Sequence, residues 1–199
     1  TFTQLLLIVA ILLTNNIFAQ EWVPITSSIP VAPMTSLLSS GDDESRVAFH
    51  LSGYFKEKVD TPKGQQYVIT VPKMASMLES GAPDLPLFAV PMLIDDVAEM
   101  VVEVTEARYH DYEGIEIAPS KGNLSREVDP STVPYAFGAT YACDRFFPDA
   151  QAQLDKPYIL RDFRGQNILV YPFAYNAVTR TLRVFTDLTL TMKKGSGYG

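Results

Sequence analysis
The chain has 199 residues, a net charge of −7, 47% hydrophobic residues and 20% charged residues. That length suffices for one domain with a sizeable core, and the acidic balance excludes a nucleic-acid binder, which needs a basic face. With Cys143 as its one cysteine, the chain forms no intrachain disulfide.

Leu5 to Leu13 is an apolar run too short to span a bilayer. Ile17-Phe-Ala19 before Gln20 fits a small-residue cleavage site. Residues 1–19 therefore read as a signal peptide missing its initiating Met and basic start. The mature chain is expected to be exported, to the periplasm, the cell surface or the outside, and to hold no membrane. Residues 20–45 carry three prolines, many serines and the acidic run Asp42-Asp-Glu44. They read as a flexible arm with little structure of its own.

Val47 to Val59 reads as one strand with a bulge near Gly53. Thr61-Pro-Lys-Gly64 is a turn, and Gln65 to Val71 alternates as the returning strand of a hairpin. Lys73 to Ser80 is a loop or one helical turn. Gly81-Ala-Pro-Asp-Leu-Pro86 is a rigid turn that delivers Leu87 to Val90 to a sheet, and Pro91 to Asp96 is a further connection. Ala98 to Thr105 is expected to be well buried, and Tyr109 to Ile117 continues it past Gly114. Two short strands, Tyr158–Asp162 and Ile168–Tyr171, are joined through Phe163-Arg-Gly-Gln166, where Gly165 suits positive φ. A final hairpin turns at Asn176–Thr179 and returns along Leu182 to Met192. Eight or so short strands, no long 3.6-residue period and no repeat predict an all-β fold. The expected form is one antiparallel β-sandwich over residues 46–193, with 194–199 as a linker toward an absent catalytic domain.

The chain is organised around Ile115 to Pro148. Pro119, Gly122, Pro130 and Pro134, with small polar residues between them, predict a long surface loop from Ala118 to Pro134 that projects from the sandwich. Loops of that length in compact domains are functional or disordered. Near its middle lies Leu124-Ser125-Arg126-Glu127. A single long cation in an extended segment has the form of a ligand for an acidic pocket; a solvated surface arginine is the plain alternative.

These residues, with Gly81-Ala-Pro-Asp-Leu-Pro86, Ile159-Leu-Arg-Asp-Phe-Arg-Gly-Gln166 and Tyr175-Asn-Ala-Val-Thr-Arg-Thr-Leu-Arg183, resemble the propeptides of the gingipain cysteine peptidases. The likeness runs from about Val47 to Met192. It implies a β-sandwich that keeps a catalytic domain latent and assists its folding, in cis and also in trans. It implies that Arg126 enters the specificity pocket, with Leu124, Ser125 and Glu127 as flanking contacts. Arginine-specific propeptides carry an arginine at that place, and the lysine-specific one a lysine.

Tyr135, Phe137, Tyr141, Phe146 and Phe147 follow the loop. They either anchor it to the sandwich or form an aromatic contact surface for the peptidase. Cys143 with His110 or His50 is a weak catalytic dyad, since neither neighbourhood starts a helix that would activate the thiol. No metal or other cofactor is expected: Asp42-Asp-Glu44 lacks calcium-loop spacing, and no phosphate-cradling glycine loop occurs. Arg161, Asp162 and Arg164 are expected to form a local ion-pair network. The chain is therefore read as a pro-segment and not an enzyme. The competing readings are a secreted β-sandwich adhesion or binding module and a peptidase acting through Cys143.

Overall fold
The computed structural model describes residues 20–41 and 43–198; the expected signal peptide, residues 1–19, lies outside them. In chain order the strands are β1 (Glu21–Pro24), β2 (Met34–Ser40), β3 (Glu44–His50), β4 (Gly53–Thr61), β5 (Gly64–Thr70), β6 (Ala75–Ser76) and β7 (Pro86–Leu93). They continue with β8 (Ala98–Glu113), β9 (Ala152–Leu154), β10 (Tyr158–Leu160), β11 (Phe163–Val170), β12 (Phe173–Asn176) and β13 (Thr181–Tyr198). Two single 3-10 turns, Pro130–Thr132 and Ala139–Ala142, are the helical segments among the described residues.

The strands form three antiparallel sheets over one core. One sheet is ordered β1-β4-β5, and a second β10-β11-β7-β6 with β9 beside β10 on β11. The third centres on β13, which pairs with β12 and then β3 along one side and with β8 along the other. Period-two patterning explains the face it buries. Leu182, Val184, Leu188, Leu190 and Met192 are all 1% exposed or less, and Thr186 is the extra residue of a bulge against β8. Phe49 meets Phe88 across the sandwich, and Tyr54 meets Phe173 edge-on. Each such fully buried large side chain contributes roughly 1.5–3 kcal/mol.

The expected all-β antiparallel sandwich is the observed class, and the hairpins at Thr61–Gly64 and Asn176–Thr181 form as expected. Several local expectations are corrected. The stretch 47–59 is two strands in two sheets, which change over at Leu51-Ser52. Gly53 is the first residue of β4 and not a bulge. It passes Trp22 so closely that a Cβ would collide with the indole. Residues 20–45 are not a bare arm: β1 pairs with β4 and β2 with β3. Their serines and prolines hide strands that form only because an edge is waiting for them. β7 runs through Pro91 to Leu93. β8 is not well buried; it is an edge strand whose Val102 and Val104 pack on the core while Val101 faces out. Gly165 lies inside β11, where the Tyr158 ring covers it, and Arg161 with φ 57° makes the turn instead. Residues 194–198 are not a free linker but continue β13 beside β8.

Candidate functional site: the loop that carries Arg126
The long loop leaves the sandwich through a buried foot. Ile117 and Ala118 are fully buried, and Ser120 is 3% exposed. Ala118 N–H donates to the Tyr67 carbonyl at 2.8 Å, which ties the foot to β5. The Gly81–Pro86 turn grips it from the other side. Gly81 N–H donates to Ser120 O, Ser120 N–H to Ala82 O and Asp84 N–H to Ala118 O, at 2.7–2.9 Å. Two prolines, Pro83 and Pro119, face each other within this short antiparallel pair. The rigid turn read from sequence is thus the clamp of the loop.

Beyond the foot the loop is braced from within. The Lys121 ammonium donates to the Pro130 carbonyl at 2.7 Å and lies over the Tyr135 ring at 4.3 Å. The Asp129 carboxylate accepts from Ser131 N–H at 2.8 Å and caps the first 3-10 turn. That backbone bond, with the Ser131 hydroxyl, holds the Asp129 carboxyl below its ordinary range. Beneath the loop, burial pushes the Asp84 carboxyl up, while the Ser76 hydroxyl donates to it and opposes the rise.

Arg126 stands at the tip. Val128 N–H donates to Ser125 O at 3.0 Å, so Arg126 and Glu127 are the two central residues of a β-turn. This corrects the extended segment expected around Arg126. Arg126 is exposed, and no acidic side chain among the described residues forms an ion pair with it. Ser125 and Glu127 are exposed beside it. Leu124 is half-buried and lines a shallow depression with Leu78, Pro130 and Tyr135.

The five aromatics divide. Tyr141, Phe146 and Phe147 pack against the core. Tyr141 donates its hydroxyl to Ile117 O at 2.8 Å, and Phe147 exchanges two backbone bonds with Tyr175. Phe146 lies under the Arg183 guanidinium at 4.3 Å, and Tyr109 flanks the same group at 4.1 Å. Phe137 and Tyr135 are half-buried and take lysines on their faces, Lys63 at 4.2 Å on Phe137. Three of the five are therefore anchors of the loop's exit. The expected Arg161–Asp162–Arg164 network does not form: Arg164 donates to the carbonyls of Asp95 and Ala98 at 3.0 Å.

Cys143 ends the second 3-10 turn, its thiol 3.4 Å from Ala139 O. His50 does not meet it. The His50 ring joins Asp187 at 2.8 Å and Thr26 at 3.0 Å. That array resembles a hydrolase relay, but the N–H groups of Ile25, Thr26 and Ser27 all donate to Ser52 O and leave none there for an oxyanion. It pins the N-terminal segment to β3. His110 lies in β8 opposite Val184. Among the described residues no cluster of three metal-ligating side chains occurs, and no helix is long and apolar enough to cross a membrane.

The comparisons agree with this architecture. The family model Propeptide_C25 matches residues 29–196. The chain is 38% identical to gingipain R1 of Porphyromonas gingivalis over 168 residues, 84% of this chain and 17% of that protein. It is 35% identical to gingipain R2 of the same organism over 84% of this chain and 23% of that protein. Among solved structures, it matches the complex of Porphyromonas gingivalis RgpB pro- and mature domains with a TM-score of 0.80 at 35% identity. That match covers 83% of this chain and 86% of the other. A structure described as an insight into zymogenic latency of gingipain K matches at TM-score 0.72 and 19% identity, a likeness of fold. The chain belongs to the C25 propeptide family. It spans less than a quarter of the length of the curated relatives it matches.

Proposed function
We propose that this chain is the exported pro-segment of a gingipain-like cysteine peptidase, holding the catalytic domain latent and assisting its folding. Arg126 is the specificity anchor. The observation that carries this is an unpaired guanidinium at the tip of a turn whose loop is clamped at both ends. A fixed loop loses little entropy on docking. A guanidinium offers planar, bidentate pairing to a pocket carboxylate, which a lysine ammonium matches less well. Ser125 and Glu127 flank the pocket, and Leu124 supports the turn from below.

The test is a titration of the cognate peptidase, freed of its pro-segment, with this chain and its Arg126→Ala and Arg126→Lys variants. Removing one partner of a buried charge pair costs about 2–5 kcal/mol, which is roughly 30-fold to several-thousand-fold in affinity. Inhibition in trans is expected to fall by that factor for alanine and by less for lysine. In a tethered precursor the effective concentration reaches about the millimolar range, so latency in cis survives the same change. Equal inhibition constants across the three proteins would remove Arg126 from the mechanism.

A further inference from the structure
The two outer faces of the sandwich differ in chemistry. On the sheet of β13 the outward side chains form ion pairs, Lys193 with Glu103 and Arg183 with Asp111. On the sheet of β6, β7, β11 and β10 they carry no charge. β7 reads Pro-Leu-Phe-Ala-Val-Pro-Met-Leu, with no polar side chain along its length. Phe88 and Val90 turn inward onto the core. By alternation Leu87, Ala89, Pro91 and Leu93 turn outward. β11 lies in register beside them with Gln166, Ile168 and Val170 buried, so Phe163, Gly165, Asn167 and Leu169 turn outward. β10 adds Tyr158 and Leu160, opposite Gly165 and Phe163.

Leu93, Leu160 and Phe163 are 75%, 67% and 62% exposed. With Tyr158 and Pro91 they ring an apolar depression of about 230 Å³. An antiparallel sheet with one solvated face ordinarily alternates apolar-in and polar-out, and this one does not. Contiguous exposed apolar surface marks a docking site, and interface cores are depleted of charge and rich in aromatics. Arg161 and Asp162 at the hairpin tip supply a polar rim.

The face is continuous with the Arg126 loop. β7 starts at Pro86, two residues after Asp84, whose N–H bonds the loop foot. At that end Ala75 of β6 stands beside Leu87, and Ser76 lines the depression shared with Leu124 and Tyr135. From there β7 carries the uncharged surface about 25 Å to Leu93.

We infer that this outer face is a second docking surface for the peptidase domain, seating an uncharged apolar patch of it while Arg126 fills the pocket; the inference rests on the reading of Arg126 above. The binding energy is divided between a charged anchor and an apolar plate. An aliphatic or aromatic side chain of the peptidase fills the depression between Leu93 and Phe163.

The experiment measures binding of this chain to the cognate peptidase, freed of its pro-segment, with Leu93→Glu and Phe163→Glu placed in wild-type and Arg126→Ala backgrounds. Both positions are exposed, and thermal melts verify the fold. Each glutamate is expected to weaken binding roughly 30-fold, the scale of an interface hot spot, in either background. Hydrogen exchange on the wild-type complex is expected to show new protection in β7 and β10, and amides there left unprotected overturn the inference whatever the variants do. Glutamate variants that bind like wild type, while Arg126→Ala weakens binding, overturn the face and leave Arg126 standing. Loss of binding on the face alone sustains the inference and removes Arg126. A wild-type dimer that the glutamates dissociate assigns the face to a second copy of the chain and overturns the proposal.

Discussion
Gly81 and Gly138 meet backbone to backbone. Gly138 N–H donates to Gly81 O at 2.8 Å, and a Cβ built on Gly138 would stand 2.9 Å from that same oxygen. Gly81 also has φ +80°, a conformation that L side chains avoid. The contact closes the loop, joining its clamp to its exit.

Gly138→Ala is accordingly expected to destabilise the protein by about 1–3 kcal/mol, the cost of forcing atoms into a filled site. Gly81→Ala adds roughly 1–2 kcal/mol for the left-handed backbone. Urea unfolding measures both. Wild-type stability in either variant would mean that the loop closes without this contact.

Arg183 and Asp111 give a pH dependence. The guanidinium makes two bonds to the carboxylate, each 2.8 Å, and holds the Asp111 carboxyl below its ordinary range against the opposing effect of burial. A carboxyl with a lowered folded pKa stabilises fully above its unfolded value of about 3.9 and loses that contribution as the pH falls through the folded value. Both side chains are partly exposed and solvent-screened, so the contribution is roughly 1 kcal/mol. Wild-type stability is expected to drop more steeply than that of Asp111→Asn below about pH 4, measured by thermal melts across pH. Parallel curves would refute the coupling.

Tyr141 ties loop to sandwich through one hydroxyl. Burial pushes its phenol far above the ordinary range. Tyr141→Phe removes the bond to Ile117 O and is expected to cost about 1 kcal/mol, somewhat more if the carbonyl stays unpaired. The raised pKa stabilises below the unfolded value near 10 and is lost as pH rises beyond it. Wild type therefore loses its advantage over the phenylalanine variant in alkali. An advantage that grew with pH would contradict this.

Cys143→Ser is expected to change stability by no more than about 1 kcal/mol, since the thiol is partly exposed and makes one weak contact. Inhibition of the cognate peptidase stays unchanged. A thiol-dependent proteolytic activity of this chain, lost in the variant, would overturn the assignment.

Turn chemistry made the hairpins at Thr61–Gly64 and Asn176–Thr181 legible, because a two-residue or Asx-type reversal is written locally. The strands of residues 21–40 were not. Their serines and leucines have no period, and what makes them strands is an edge of β3 or β4 supplied by tertiary structure. Leu51-Ser52 hid a change of sheet because Val47, Phe49 and Leu51 keep one parity into it. Gly165 was misplaced for a related reason: its missing side chain makes room for Tyr158, not for a turn. Arg126 was found by family likeness, and its β-turn depends on one Ser125–Val128 bond that no composition announces. The clamp at Gly81–Pro86 was visible as rigidity, though not as the partner of Ser120.

β13 joins four strands into one sheet, and its partners are far apart in the chain: His50 meets Asp187, 137 positions further along. A chain emerging from the ribosome in order therefore cannot complete the β3 ladder until that late strand is free. Until then β3, paired only with β2, exposes one bare edge and half a core. Such long-range closure makes folding slow, and a slow-folding chain stays threadable. The topology that makes the finished sandwich cohesive thus also keeps it unfinished during synthesis, which suits the export proposed for it.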